Sequence, residues 1–385
     1  MMPSRFLKTA VGVALGVVAT LAALEGALRL LPVQEGISAA DADDAWPVHH
    51  LMPGRSLTWS AQWHLANRTP GRTNNLGYVA PFDYEPGTRM LAVLGDSYVE
   101  SLMNPYDATL QAQVQQLAGN RMPVYNFGIG GSALPDYLGL APLVADRFRV
   151  EGLVVMIGDG DFIEGFTPRP GHFTWTAAAA ASPVTLQPDV RRSPAVKAVR
   201  ELALFRYVRG NLRMTPETLF KSRPSHEPVA AGCVSSALQP GDADLVRAFV
   251  RELPAAYGIE PAAIALVVDS ETHRRAMYDA AGRTNTASAC TTRDALALEA
   301  LATEAERAGF AVVRLAPIFD AHYRRTGERV DHSPDDWHWN ATGHRLAAAR
   351  AVDALAAAGK APVADRERAS GVRSATHPPD RAAVN

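Results

Sequence analysis

The sequence predicts an α/β protein of the doubly wound type, and three observations carry that prediction. Five short apolar runs, at 90–94 (MLAVL), 123–127, 153–157 (LVVMI), 264–268 (IALVV) and 311–315, alternate with stretches of helical patterning. The runs are continuous rather than alternating, which suits strands buried on both faces and therefore parallel. Composition leaves room for such a core: of 385 residues, 47% are hydrophobic and 20% charged, which excludes wholesale disorder.

Taken in chain order, the first element is a membrane segment. Arg5 and Lys8 precede an uncharged, mostly apolar run over 9–24, and counting from Phe6 brings it close to the roughly 20 residues that span a bilayer. A cleaved signal peptide is the rival reading, although Ser38 and Ala40, the residues suited to cleavage, lie well past the run. Either way, positive charge before the run and Glu25 after it place the remainder outside the cytoplasm. An oxidising compartment would let Cys233 and Cys290 pair, worth about 4 kcal/mol in the chain-entropy account, with two free buried thiols as the alternative.

Residues 1–32 thus read as anchor or signal, and 33–84, rich in Pro, Asn, Asp and Trp, as a linker and irregular entry segment. The main domain covers 85–361, with helices expected at about 107–117, 135–147, 242–256, 292–308 and 342–358. Between 165 and 240 the strand–helix rhythm stops. That stretch, with its run of alanines at 177–181 and a basic helix expected over 194–213, reads as an insertion over the carboxyl edge of the sheet, where open α/β folds bind ligands. Its Lys197, Arg200, Arg206, Arg209 and Arg213 suit either a solvated face or contact with an anionic glycan or lipid headgroup. Residues 362–385 read as a disordered polar tail. A net charge of −2 argues against a nucleic-acid partner, and two cysteines exclude a disulfide scaffold, an iron–sulfur protein or a Cys₄ zinc site.

Chemistry concentrates at two places. Gly95-Asp96-Ser97 follows the first buried strand, where a serine stands in the ligand crevice of a parallel sheet. Far downstream lies Asp335-Asp336-Trp337-His338-Trp339-Asn340, followed by Gly343-His344. A serine hydroxyl needs a base to take its proton, and the base needs a carboxylate on its other nitrogen. Ser97, His338 and Asp335 are the expected nucleophile, base and orienter, because Asp335 can fold back over one turn. Asp336 is expected to face away, Asn340 to cap the final helix, and His344 to be structural or exposed.

On these residues the chain resembles the SGNH (GDSL-type) hydrolases, whose ordered motif blocks would span about 90–355. Gly95-Asp96-Ser97 matches the first block, Asn126-Phe127-Gly128-Ile129-Gly130-Gly131 the second, and Asp335-x-x-His338 the last. The Trp-His-Trp-Asn context further resembles membrane-anchored bacterial members and alginate-type polysaccharide O-acetyltransferases. The resemblance implies a flavodoxin-like three-layer α/β/α fold with five parallel strands and an oxyanion hole that includes Gly131. The third block departs: Gly158-Asp159-Gly160-Asp161 places Gly160 where the family has an asparagine donor. Losing such a donor costs roughly 2.7–4 kcal/mol of transition-state stabilisation, so Gly160→Asn is expected to raise kcat.

The function this implies is an extracytoplasmic, membrane-tethered serine esterase acting on a small acyl ester or acetylated carbohydrate. It would need no cofactor or metal ion. Two alternatives stand beside it: a polysaccharide O-acetyltransferase using the same triad, and a non-catalytic glycan-binding protein.

Overall fold

Each of the five short apolar runs expected to be strands contributes a strand to one parallel sheet. The computed structural model describes residues 3–41, 45–176, 182–189, 191–214, 237–282, 292–334 and 336–360. In chain order a long helix, Pro3–Leu28, is followed by an antiparallel hairpin of β1 (Ser56–Ala61) and β2 (Ala66–Arg72). The sheet then takes β3 (Arg89–Leu94), β4 (Val124–Asn126) and β5 (Arg149–Ile157). A second hairpin, β6 (Phe173–Trp175) with β7 (Val184–Leu186), stands apart before β8 (Ile264–Val268) and β9 (Ala311–Arg314) complete the sheet. The order is β4-β3-β5-β8-β9, all parallel. By first appearance that is the 2-1-3-4-5 order of flavodoxin-like folds, with its switch point between β3 and β5.

The continuous apolar runs explain the layers. Along β5, Leu153, Val155 and Ile157 join one buried cluster with Leu134, Phe249, Leu253 and Leu301, whereas Val154 and Met156 join another with Leu110, Val114, Ala347 and Ala351. Both faces of the strand are therefore covered by helices, on one side Asp242–Tyr257 and Arg293–Arg307, on the other Leu110–Leu117 and Ala341–Ala357. Two further helices were not legible from apolar patterning: Glu271–Gly282 and Ala316–Thr326, both rich in polar residues.

The entry segment is not a linker. Trp46, Val48, Leu51, Tyr78 and Tyr84 belong to the larger core cluster, and the Tyr84 hydroxyl accepts from the Asn126 amide (2.7 Å) while donating to the Asn126 carbonyl (2.8 Å). Its loops satisfy their backbone through side chains, Asn74 Oδ1 accepting from Leu76 and Tyr78 N–H, so irregular chain can be buried. The basic helix of the insertion is broken into Pro194–Arg200, Ala203–Arg206 and a π-turn at Tyr207–Asn211. The alanine run, Cys233, Cys290 and the tail lie outside the described residues.

In the leading helix, Leu7–Leu28 is long and apolar enough to cross a membrane, with a mean hydropathy of 2.0 and 6% of it buried. Its far end is tied down. Glu25 accepts from the N–H groups of Ala203 (3.0 Å) and Leu204 (2.8 Å), joining this helix to the insertion.

Candidate active site

The first half of the site is made by the end of β3. Asp96 caps the short helix Ser97–Glu100, accepting from Tyr98 N–H at 2.9 Å, which fixes Ser97 at the helix start. The turn after β4 is laid against it: Ile129 N–H donates to the Gly95 carbonyl, and Asn126 Oδ1 accepts from Gly128 N–H at 2.7 Å. Glu100, one turn beyond Ser97, is buried against Gly130 and accepts that residue's N–H. Burial pushes its carboxyl up to about 7, against the lowering effect of that bond and of His338.

The second half is the loop 331–340, pinned at its ends by a bridge between Asp331 and Trp339. His338 Nε2 lies 2.8 Å from Ser97 Oγ, and its Nδ1 lies 2.5 Å from Asp336 Oδ1. The carboxylate can only accept, so Nδ1 carries the proton and Nε2 is left to accept from the serine hydroxyl. Asp336 thus takes the place expected for Asp335, which lies outside the described residues. The reason is local: Asp336 Oδ1 also accepts the His338 N–H (3.1 Å), an Asx turn that sets the carboxylate beside the imidazole two residues on. Burial lowers the His338 pKa, but the bond and charge of Asp336, with Asp96 and Glu271, outweigh it and hold the imidazole above its ordinary value. Asp336 is itself held low by the same partner against the effect of burial.

A buried guanidinium organises this loop. Arg274, fully inaccessible, pairs with Asp269 and Asp331, and donates to the Tyr98 hydroxyl (2.6 Å) and the Trp337 carbonyl (2.7 Å). Trp339 Nε1 donates to the same Asp269 at 2.8 Å. The Tyr98 ring stands 4.8 Å from that of His338. Asn340 caps the last helix as expected, accepting from Thr342 and Gly343. His344 is wholly buried against Ser101 Oγ (3.0 Å) and Asn104, and burial pushes its pKa down to about 3, so it is a neutral structural group.

Gly131 and Gly160 both hold positive φ, +86° and +100°. A Cβ at Gly131 would stand 3.0 Å from Arg169 Nη1, and one at Gly160 would stand 3.2 Å from Glu164 Oε1. Arg169 and Glu164 pair at 3.2 Å, so an ion pair spans the two glycines. The aspartates flanking Gly160 are engaged separately. Asp159 accepts from Ser270 Oγ and Thr272 N–H, whereas buried Asp161 accepts from Gly158 N–H and the Tyr137 hydroxyl. Burial, with the charge of Asp96, holds the Asp161 carboxyl well above its usual range.

A pocket of about 350 Å³ opens beside the turns that follow β3 and β4. Glu100 and Gly130 form its floor; entry-segment residues such as Ile37 and Leu51 and the insertion's Arg200, Phe205, Arg206 and Arg209 form its walls. The insertion thus shares this pocket with Glu100 and Gly130. Sequence reading turned Asp336 away from the imidazole and missed Arg274, Glu100 and Arg169. Only Asp336 left a signal, the Asp-x-His spacing of an Asx turn.

No family model matches the chain, and no curated protein does. Solved structures with a similar course include LAE5, an alpha/beta hydrolase enzyme from the metagenome of Lake Arreo, at 15% identity and a TM-score of 0.37, over 71% of this chain and 97% of that one. Axe2, an acetylxylan esterase from Geobacillus stearothermophilus, gives 13%, 0.38, 73% and 99% in the same order. TesA gives 13%, 0.34, 70% and 99%. Likeness this distant carries no argument about activity, which rests on the side chains described above.

Proposed function

We propose that this protein is a serine esterase that removes short acyl groups, acetyl foremost, from an ester substrate. The observation that carries the reading is the unbroken chain Ser97–His338–Asp336, with contacts of 2.8 and 2.5 Å, at the carboxyl edge of a parallel sheet. In this scheme Ser97 Oγ attacks the ester carbonyl as its proton passes to His338 Nε2. The backbone N–H groups of Ser97 and Gly131 receive the charge that develops on the carbonyl oxygen. The tetrahedral intermediate collapses, the alcohol leaves with the proton from His338, and the acyl group stays on Ser97. Water then gives its proton to His338, attacks the acyl-enzyme and releases the carboxylic acid, returning Ser97 to its hydroxyl. Asp336 holds the Nδ1 proton and steadies the imidazolium in both halves.

The missing asparagine donor changes one wall of the site. The charged group against Gly160 is Glu164, which pairs with Arg169, and Arg169 in turn packs over Gly131. The leading helix, read as a membrane anchor, would hold the esterase at the extracytoplasmic face, with Glu25 fixing the site's insertion relative to the bilayer.

The test is release of p-nitrophenol from p-nitrophenyl acetate by the full chain in detergent. Activity is expected in the parent, with a fall on the order of 10⁵-fold or more in Ser97→Ala and in His338→Ala, and no further fall in the double variant. Equal activity in parent and Ser97→Ala would refute the assignment.

A further inference from the structure

We propose that the pocket beside Ser97 selects ester substrates that carry an anionic group, a carboxylate or phosphate, held by Arg200 and Arg209 of the inserted segment. The inference rests on Ser97 being the nucleophile and adds the chemical class of its substrate.

Position comes first. Ser97 and His338 do not themselves line the pocket, but Glu100 and Gly130 do, and a Cβ at Gly130 would stand 3.7 Å from Ser97 Cβ, so the pocket adjoins the turn that carries the nucleophile. Its volume of about 350 Å³ suits a substituent about the size of a sugar ring.

Charge comes second. Three arginines line one wall, and they are not equivalent. Arg206 is answered by Glu35 (3.3 Å) and Glu201 (3.8 Å). Among the described residues Arg200 and Arg209 have no hydrogen-bond or ion-pair partner. Burial, then the like charges of Arg192 and Arg209, lower the Arg200 pKa, with only Asp41 opposing. Arg200 is half-buried and Arg209 exposed, but both line one concavity with Phe205, Ile37 and Leu51 and pair with no acid among the described residues, an arrangement that concentrates positive potential on whatever enters it. A guanidinium offers paired N–H donors that match the oxygens of carboxylate and phosphate. The one acid lining the pocket, Glu100, is held up to about 7 by burial, so near neutral pH it opposes the arginines with only part of a negative charge.

The experiment reads binding apart from turnover. Full-length Ser97→Ala protein in detergent is titrated calorimetrically with tri-galacturonate, glycerol phosphate and neutral xylotriose. At least one of the two anions should bind, and xylotriose should not. Binding of tri-galacturonate alone assigns the anion to a sugar carboxylate, and binding of glycerol phosphate alone assigns it to a phosphate headgroup. Adding Arg200→Gln and Arg209→Gln should weaken that binding about tenfold or more, while Arg200→Lys with Arg209→Lys should keep most of it and so report on charge rather than folding. Failure of both anions to bind, or equal binding by the double glutamine variant, overturns the proposal. Anion binding in a protein whose parent releases no p-nitrophenol would leave the pocket standing and remove the esterase reading alone.

Discussion

The two halves of the site are held in place by different means. The Ser97 half is local: a strand end, an Asp96 cap and a neighbouring turn, all within 94–131, position the hydroxyl. The His338 half has no regular element of its own. It is fixed by groups distant in sequence, with Tyr98 donating to the Trp337 carbonyl across 239 positions, Arg274 across 63, and Trp339 reaching Asp269 across 70. The difference teaches what each task demands. A nucleophile can ride on the sheet, but a loop that must hold an imidazole 2.8 Å from it needs a clamp, since misplacement by 1 Å can cost about 10²-fold in rate.

The largest effect that would sharpen this contrast lies at the Asx turn. Asp336→Asn should lower kcat for p-nitrophenyl acetate by about 10⁴-fold through loss of the correct tautomer, whereas Asp335→Asn should keep most activity. The reverse ranking would restore the family-like spacing. The pH profile adds a sign. His338 must be neutral to accept the serine proton, so kcat/KM falls as pH drops through its pKa, which lies above the ordinary 6.5. Without the Asp336 charge, burial dominates, and the residual activity of Asp336→Asn should show its acid limb at lower pH.

Next in size is the clamp. Arg274→Met leaves Asp269 and Asp331 buried without their cation, so we expect a loss of about 3–5 kcal/mol, read as a fall in Tm. An unchanged Tm would show that the loop holds itself. The smallest effect concerns Gly160. Its φ of +100° disfavours any side chain, and Glu164 already occupies the direction a Cβ would take. Gly160→Asn should therefore cost about 1–3 kcal/mol of stability with no gain in kcat, contrary to the reading from the motif alone. A gain would show that the turn can rearrange to admit the amide.

Sequence made the sheet legible because continuous Val, Ile and Leu runs report burial on both faces; it marked Ser97 because its chain neighbours build its surroundings, and His338 because aspartates stand two and three residues before it. It could not reveal Arg274 or Glu100. Their roles come from which strangers in sequence the fold brings together, and an arginine on a polar helix such as Glu271–Gly282 reads as solvated. The entry segment was misread for a related reason: Pro, Asn and Asp mark irregular chain, but not whether aromatic residues such as Trp46 and Tyr78 within it are buried. The choice between neighbouring aspartates turned on one side-chain hydrogen bond, below the resolution of spacing arguments.

The central claim is that Ser97 is activated by His338. Its most direct measurement is labelling with diisopropyl fluorophosphate, followed by peptide mass mapping of the full chain. The account predicts one stoichiometric adduct, on Ser97, that becomes much slower to form in His338→Ala. No adduct on Ser97, or labelling at an unchanged rate without His338, would contradict it.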